Sequence, residues 1–128
     1  MKLLLDTCTF LWIAAGDLAL SDTAREAFQS PDNEVYLSVI STWEIVVKHA
    51  LGRLPLPGAP DTYIPRLRQA HGIESLDLDE EATLHLGRLP ELHRDPFDRM
   101  LVCQAIVGGL IMLTPDDAVM QYPVRSLW

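Results

Sequence analysis

The sequence predicts an α/β sandwich built on a mostly parallel sheet, and three observations carry that prediction. Short β-rich apolar runs alternate with helical patterns from one end of the chain to the other. The connections between strands are long enough for crossovers that return each strand parallel to its neighbour. At 128 residues, 48 % hydrophobic and 22 % charged, the chain supports one domain, residues 1–128, around one core.

Lys2–Leu5 is a short apolar run with charge on either side, which reads as a buried strand. Thr7–Ala15 is apolar on most faces and stops at the turn signal Gly16-Asp17. Ser21 or Asp22 caps a helix through about Gln29, with Leu20 as its staple, and Ser30-Pro31-Asp32-Asn33 breaks it. Glu34–Ser38 alternates and is β-rich, a second strand. Ser41–Leu51 sets Trp43, Val46, Val47, Ala50 and Leu51 at helical spacing, and Gly52 ends that helix. Three prolines and a glycine make Leu54–Pro60 a loop, and Asp61–Ala70 follows as a helix with Tyr63, Ile64, Leu67 and Ala70 on one face. Ile73–Leu76 reads as a short strand and Asp79–Gly87 as a helix stapled by Leu78. Asp95 caps a long helix through Val107, with Pro96 in its first turn and Gly108-Gly109 at its end. Leu110–Leu113 is a strand, Thr114–Asp117 opens a short helix, and Val124-Arg125 reads as a last edge strand.

Composition bounds the function. No apolar stretch reaches the ~20 residues of a spanning helix, and Met100–Leu113 is interrupted by Gln104. One Lys and three leucines before Asp6 do not make a secretory leader. Cys8 and Cys103 lack CxxC spacing and lie in apolar surroundings, which fits buried free thiols in a reducing cytoplasm. The formal net charge of −8 argues against a polyanion as partner, because phosphate-tracking proteins carry a basic face. Clustered carboxylates that ligate metal would reverse that inference.

The positions of the acids point to such a cluster. Asp6 ends the first strand, Glu44 falls in the first turn of the helix after the second, and Asp116 follows the strand Leu110–Leu113. In an open α/β sheet these points share the carboxyl edge, where ligands bind. Asp98, in the first turn of the Pro96 helix, joins them if that helix starts at the same edge. Structural explanations compete for three of the four. Ser41-Thr42-Trp43-Glu44 is a capping box, Asp98 suits the helix macrodipole, and Thr114 with Asp117 makes a second capping pair. Asp6, directly after Leu3-Leu4-Leu5, has no such reason to be there. Converging carboxylates repel unless a cation sits among them. A hard divalent ion, Mg²⁺ or Mn²⁺, answers that need and suits phosphodiester hydrolysis.

At these residues the chain resembles a PIN domain, the metal-dependent ribonuclease fold of VapC-like toxins. The resemblance rests on Leu3-Leu4-Leu5-Asp6-Thr7, on Trp43-Glu44-Ile45 with Lys48, and on His93-Arg94-Asp95-Pro96-Phe97-Asp98-Arg99 with Gln104-Ala105. Leu113-Thr114-x-Asp116 and the close Tyr122-x-Val124-x-x-Leu127-Trp128 complete it. It implies a three-layer α/β/α sandwich and an endoribonuclease whose quartet Asp6, Glu44, Asp98 and Asp116 is catalytic and binds Mg²⁺ or Mn²⁺. Asp6 and Asp98 are then the principal ligands, with Glu44 and Asp116 acting directly or through water. Thr114 hydrogen-bonds a ligand or caps its helix. The resemblance further implies an RNA substrate, a homodimer, and an antitoxin that covers the acidic groove. The chain departs from the pattern with Cys8 in place of His and Cys103 in place of Ala, both read as core substitutions. Asp117 competes with Asp116 to face the metal, and Asp95 is read as a cap rather than a ligand.

Around the acids, His93 is a structural or substrate-side hydrogen bonder rather than a zinc ligand. Arg94, Arg99 and Lys48 are placed to meet an RNA backbone or an antitoxin carboxylate, although Lys48 also makes a plain intrahelical pair with Glu44, worth ~0.3 kcal/mol. Two other classes remain open. A phosphatase or phospho-accepting receiver would use Asp6, but the phosphatase pattern wants an acid where Cys8 stands, and the only lysines are Lys2 and Lys48. A non-catalytic acidic binding module would use the carboxylates only as caps and partner contacts.

Overall fold

A computed structural model describes all 128 residues. Its centre is a five-stranded sheet in the order β3-β2-β1-β4-β5, with every neighbouring pair parallel. The strands are β1 (Lys2–Leu5), β2 (Glu34–Ser38), β3 (Glu74–Leu76), β4 (Ile111–Leu113) and β5 (Ser126–Leu127). The helices are α1 (Thr7–Ala15), α2 (Asp22–Gln29), α3 (Val39–Ala50), α4 (Pro60–Ala70), α5 (Glu80–His85), α6 (Pro96–Gly108) and α7 (Asp117–Met120). A 3₁₀ turn, Leu86–Arg88, follows α5.

The period of two along each strand splits the interior into two layers. On β1, Leu3 and Leu5 face one apolar cluster and Leu4 the other; on β4, Ile111 and Leu113 divide from Met112 in the same way. The first cluster takes Phe10 and Ile13 of α1, Ala24 and Ala27 of α2, and Tyr63 and Ile64 of α4. The second takes Leu101, Val102 and Ala105 of α6 with Val119 of α7. Helices thus cover both faces of the sheet, as the alternating pattern predicts.

Several boundaries differ from the sequence reading for local reasons. The last strand lies two residues later, at Ser126–Leu127, where Met112 N–H donates to Arg125 O and Thr114 N–H to Leu127 O. The helix expected from Ser41 begins at Val39, capped by Ser38, whose hydroxyl accepts from Ile40 N–H at 3.0 Å. That shift dissolves the proposed capping box: Glu44 sits in the second turn, and Ser41 is an interior position. The buried face of α3 is Ile40, Ser41, Glu44 and Ile45. The apolar set at helical spacing lies mostly outward, with Trp43 58 %, Val46 44 % and Leu51 61 % exposed. Glycine closes α1 and α6 in the left-handed conformation, at Gly16 (φ 64°) and Gly109 (φ 65°).

The topology decides where chemistry can occur. β1 leads to β2 on one side, while β4 is added on its other side, so the strand order reverses between β1 and β4. The carboxyl ends of these two strands flank the crevice that open α/β sheets use for ligands. Asp6 N–H donates to Leu113 O at 3.2 Å, pinning the two strand ends together.

Candidate metal centre

Three helices begin at this crevice, and each brings one acid. Asp6 is the N-cap of α1 and accepts from Thr7 N–H at 2.7 Å. Asp116 is the N-cap of α7 and accepts from Ala118 N–H at 2.9 Å. Asp98 is the third residue of α6, whose cap is Asp95; Asp95 accepts from Phe97 N–H at 2.9 Å and Asp98 N–H at 3.1 Å. Helix N-termini favour carboxylates, so each acid also has a local structural role. That includes Asp6, for which the sequence offered none, and it makes Asp116, not Thr114, the cap of α7.

Convergence is what local capping leaves unexplained. One carboxylate oxygen from each of Asp6, Asp98 and Asp116 lies within 4.8 Å of the others. Thr114, fully buried, bridges two of these residues: its hydroxyl donates to Asp6 Oδ2 at 2.6 Å and accepts from Asp116 N–H at 3.0 Å. Asp117 is exposed and outside the cluster.

Glu44 is buried and lines the same groove without joining the triad. Its Oε1 accepts from Thr7 Oγ1 at 2.7 Å, and Lys48 Nζ pairs with Oε2. Thr7 and Ser41, with hydroxyl oxygens 2.9 Å apart, hold this side of the site, and sequence reading missed both. The available signal was a polar pair, Ser41 and Glu44, three residues apart on a helix packed against the strand ends. Lys48 lines the groove beside Glu44. Cys8 is half-buried on the groove wall rather than in the core, whereas Cys103 is fully buried.

His93 and Arg99 lie behind Asp98. His93 Nε2 is 3.3 Å from Asp98 Oδ2. The Arg99 guanidinium is turned to Pro90 O at 2.9 Å and Tyr122 Oη at 3.0 Å, an internal tie rather than an outward contact. Arg94 is exposed at the start of the segment.

The electrostatics match a crowded acidic pocket. Burial raises the Asp6 carboxyl, partly offset by the hydrogen bonds from Thr114 and Thr7, while Asp116 and Glu44 raise it further. Asp98 is pushed up to about 7, first by burial and then by the charges of Asp6 and Asp95. Burial and the Asp6 charge push the Cys8 thiol up to about 12. Lys48 is raised chiefly by its bond to Glu44, with Asp95 and Asp98 adding to it. Carboxylates that resist ionisation together are ready to exchange protons for a cation. The groove above them is open, with a volume of ≈ 260 Å³. The converging triad offers carboxylate oxygen alone, the ligand type of hard divalent ions. The residues present therefore fit such an ion.

The sequence matches the PIN domain family over residues 3–123. Ribonuclease VapC16 of Mycobacterium tuberculosis is 34 % identical over 67 residues, which cover 52 % of this chain and 47 % of that protein. The match thus spans about half the length of that curated relative. Among solved structures, a chain of VapBC2 from Rickettsia felis, bound to a DNA fragment from their promoter, has a TM-score of 0.74 at 14 % identity. That likeness covers 99 % of this chain and 98 % of the other. A chain of VapBC-1 from nontypeable Haemophilus influenzae has a TM-score of 0.61 at 17 % identity, covering 99 % and 97 %. At such identities the likeness speaks for the fold alone. No helix is long and apolar enough to cross a membrane.

Proposed function

The chain belongs to the PIN domain family, and we propose that it is a divalent-metal-dependent endoribonuclease serving as the toxin of a toxin–antitoxin pair. The observation that carries this reading is the meeting of Asp6, Asp98 and Asp116 within 4.8 Å at the switch point of the sheet. The relative named as a ribonuclease supports the reaction class, and the VapBC chains share the fold.

In this reading Asp6, Asp98 and Asp116 hold Mg²⁺ or Mn²⁺. The bound ion supplies charge neutralisation at the scissile phosphate and makes water a better nucleophile at neutral pH. Thr114 fixes the Asp6 carboxylate and the backbone of Asp116 in one motion-limited unit. Glu44, steadied by Thr7 and Lys48, faces the groove and orients water there. Lys48 sits where an RNA phosphate would pass, and it offsets part of the acidic field that repels the substrate. His93 and Asp95 hold Asp98 from behind, by its side chain and its backbone. The exposed apolar surface of α3 supports a protein contact, in keeping with a homodimer.

The test is cleavage of RNA by purified protein with and without Mg²⁺ or Mn²⁺, alongside Asp98→Ala. We expect metal-dependent cleavage that the substitution abolishes. Full activity in the variant, or in excess chelator, would refute the assignment. A module that binds no divalent ion and cuts no RNA would instead fit the non-catalytic alternative.

A further inference from the structure

We propose that Tyr122 is a positioning residue for Asp98, acting through the tautomer of His93; the role in metal binding rests on the reading of the acidic cluster given above. Tyr122 follows α7, far in sequence from Asp6 and Asp98, and is 3 % exposed. Its hydroxyl lies 3.2 Å from the His93 main-chain nitrogen, 3.0 Å from an Arg99 guanidinium nitrogen and 2.6 Å from His93 Nδ1.

Donor counting assigns the direction of these bonds. A phenol oxygen has one proton to give and two lone pairs to accept with. The main-chain N–H and the guanidinium can only donate, so they occupy both lone pairs. The single phenol proton is then donated to His93 Nδ1, which must be the acceptor nitrogen. The ring proton of His93 is thereby fixed on Nε2, which donates to Asp98 Oδ2 at 3.3 Å. The chain of donors runs from Arg99 and the His93 backbone to Tyr122, then to His93, then to Asp98. Arg99 is itself anchored on Pro90 O, so the segment before α6 and the segment after α7 are locked to the same oxygen.

The consequence for the site follows from the surrounding charge. Asp98 shares the cluster with Asp6 and Asp116, whose like charges oppose a fixed carboxylate there unless a donor holds it. The Nε2–H bond to Oδ2 fixes the orientation of that carboxylate within the cluster. Partners behind a metal-binding side chain orient it and tune its affinity, commonly by 10–100-fold. Tyr122 does this at one remove, by denying His93 the alternative tautomer, which presents no proton to Asp98.

Tyr122→Phe removes the hydroxyl and keeps the ring that packs among Leu101, Val102 and Val119. In metal-free wild type, ¹⁵N spectra of the His93 ring should show a protonated Nε2 and an acceptor Nδ1. In Tyr122→Phe that preference should be lost, and Mn²⁺ should bind roughly tenfold more weakly by calorimetry. Val119→Ala loosens the same core without touching the hydroxyl, and should lower thermal stability while leaving both the tautomer and the Mn²⁺ affinity as in wild type. A protonated Nδ1 in wild type would overturn the proposal. So would equal Mn²⁺ affinity in wild type and Tyr122→Phe, or equal weakening in Val119→Ala. Failure of wild type to bind Mn²⁺ would overturn the metal reading and the positioning role with it; the tautomer, read without metal, still reports separately on the hydrogen-bond chain.

Discussion

Replacing Asp98 by Asn should make the metal-free protein more stable and at the same time remove its response to metal. The substitution preserves shape and leaves an oxygen for the His93 bond, but deletes one of three carboxylates whose oxygens lie within 4.8 Å. Two full charges at that separation repel by about 3.5 kcal/mol at an effective dielectric of ~20. Burial and mutual repulsion already hold Asp98 partly protonated near neutral pH, and the groove is open to solvent. Relief of roughly a third to a half of one pair remains, about 1–2 kcal/mol. For a domain of this size that raises the midpoint of thermal unfolding by roughly 3–8 °C in chelator. Wild type should gain about 2.7 kcal/mol from Mn²⁺ at a hundred times its dissociation constant, and Asp98→Asn little or none. Thermal unfolding of both proteins, with chelator and with Mn²⁺, reads both effects. A variant that melts below wild type in chelator, or that keeps the full Mn²⁺ increment, would refute the reasoning.

Other consequences are open to measurement. The Asp98 carboxyl is raised from 3.8 to about 7 in the folded protein, so between those values the folded state holds a proton that the unfolded chain has released. Stability of the metal-free protein should therefore fall as pH rises from about 4 to about 7, and Mn²⁺ affinity should rise over the same window; melting and calorimetry against pH check the two signs. Thr114→Val removes the donor to Asp6 and the acceptor for Asp116 N–H. It should cost about 1–3 kcal/mol in denaturant unfolding and weaken Mn²⁺ binding, with Thr114→Ser restoring both. The Cys8 thiol, pushed up to about 12, should resist alkylation at neutral pH in the folded protein and react once it is unfolded; mass spectrometry with and without denaturant measures this.

The legible parts of the sequence were those in which one signal had one cause. Leu3–Leu5 and Ile111–Leu113 read as strands because residues buried on both faces leave an unbroken apolar run. Asp95-Pro96 and Gly108-Gly109 marked the ends of α6 within a residue, since cap chemistry is local. The sheet order placed Asp6 and Asp116 at one crevice, as alternation of strands and helices leads one to expect. α3 misled because its buried face is partly polar, with Ser41 and Glu44 inward, while Trp43, Val46 and Leu51 face out. Periodicity reports where apolar residues lie, not which side the core is on. The separation of Glu44 from the triad was likewise invisible, because it depends on Thr7 and Lys48 capturing both of its oxygens. The Tyr122 contact spans 29 residues to His93, and no local pattern encodes a bond of that reach. The net charge of −8 gains a different meaning too, since three of those charges meet at one point where a cation fits.

The most direct test of the account is to locate the ion. Crystals of the wild-type protein soaked in Mn²⁺ should give an anomalous peak about 2.0–2.3 Å from oxygens of Asp6, Asp98 and Asp116, and crystals of Asp6→Asn should give none there. An empty crevice at saturating Mn²⁺, or a peak only at the distant acidic groove of Asp77, Asp79 and Glu81, would contradict it.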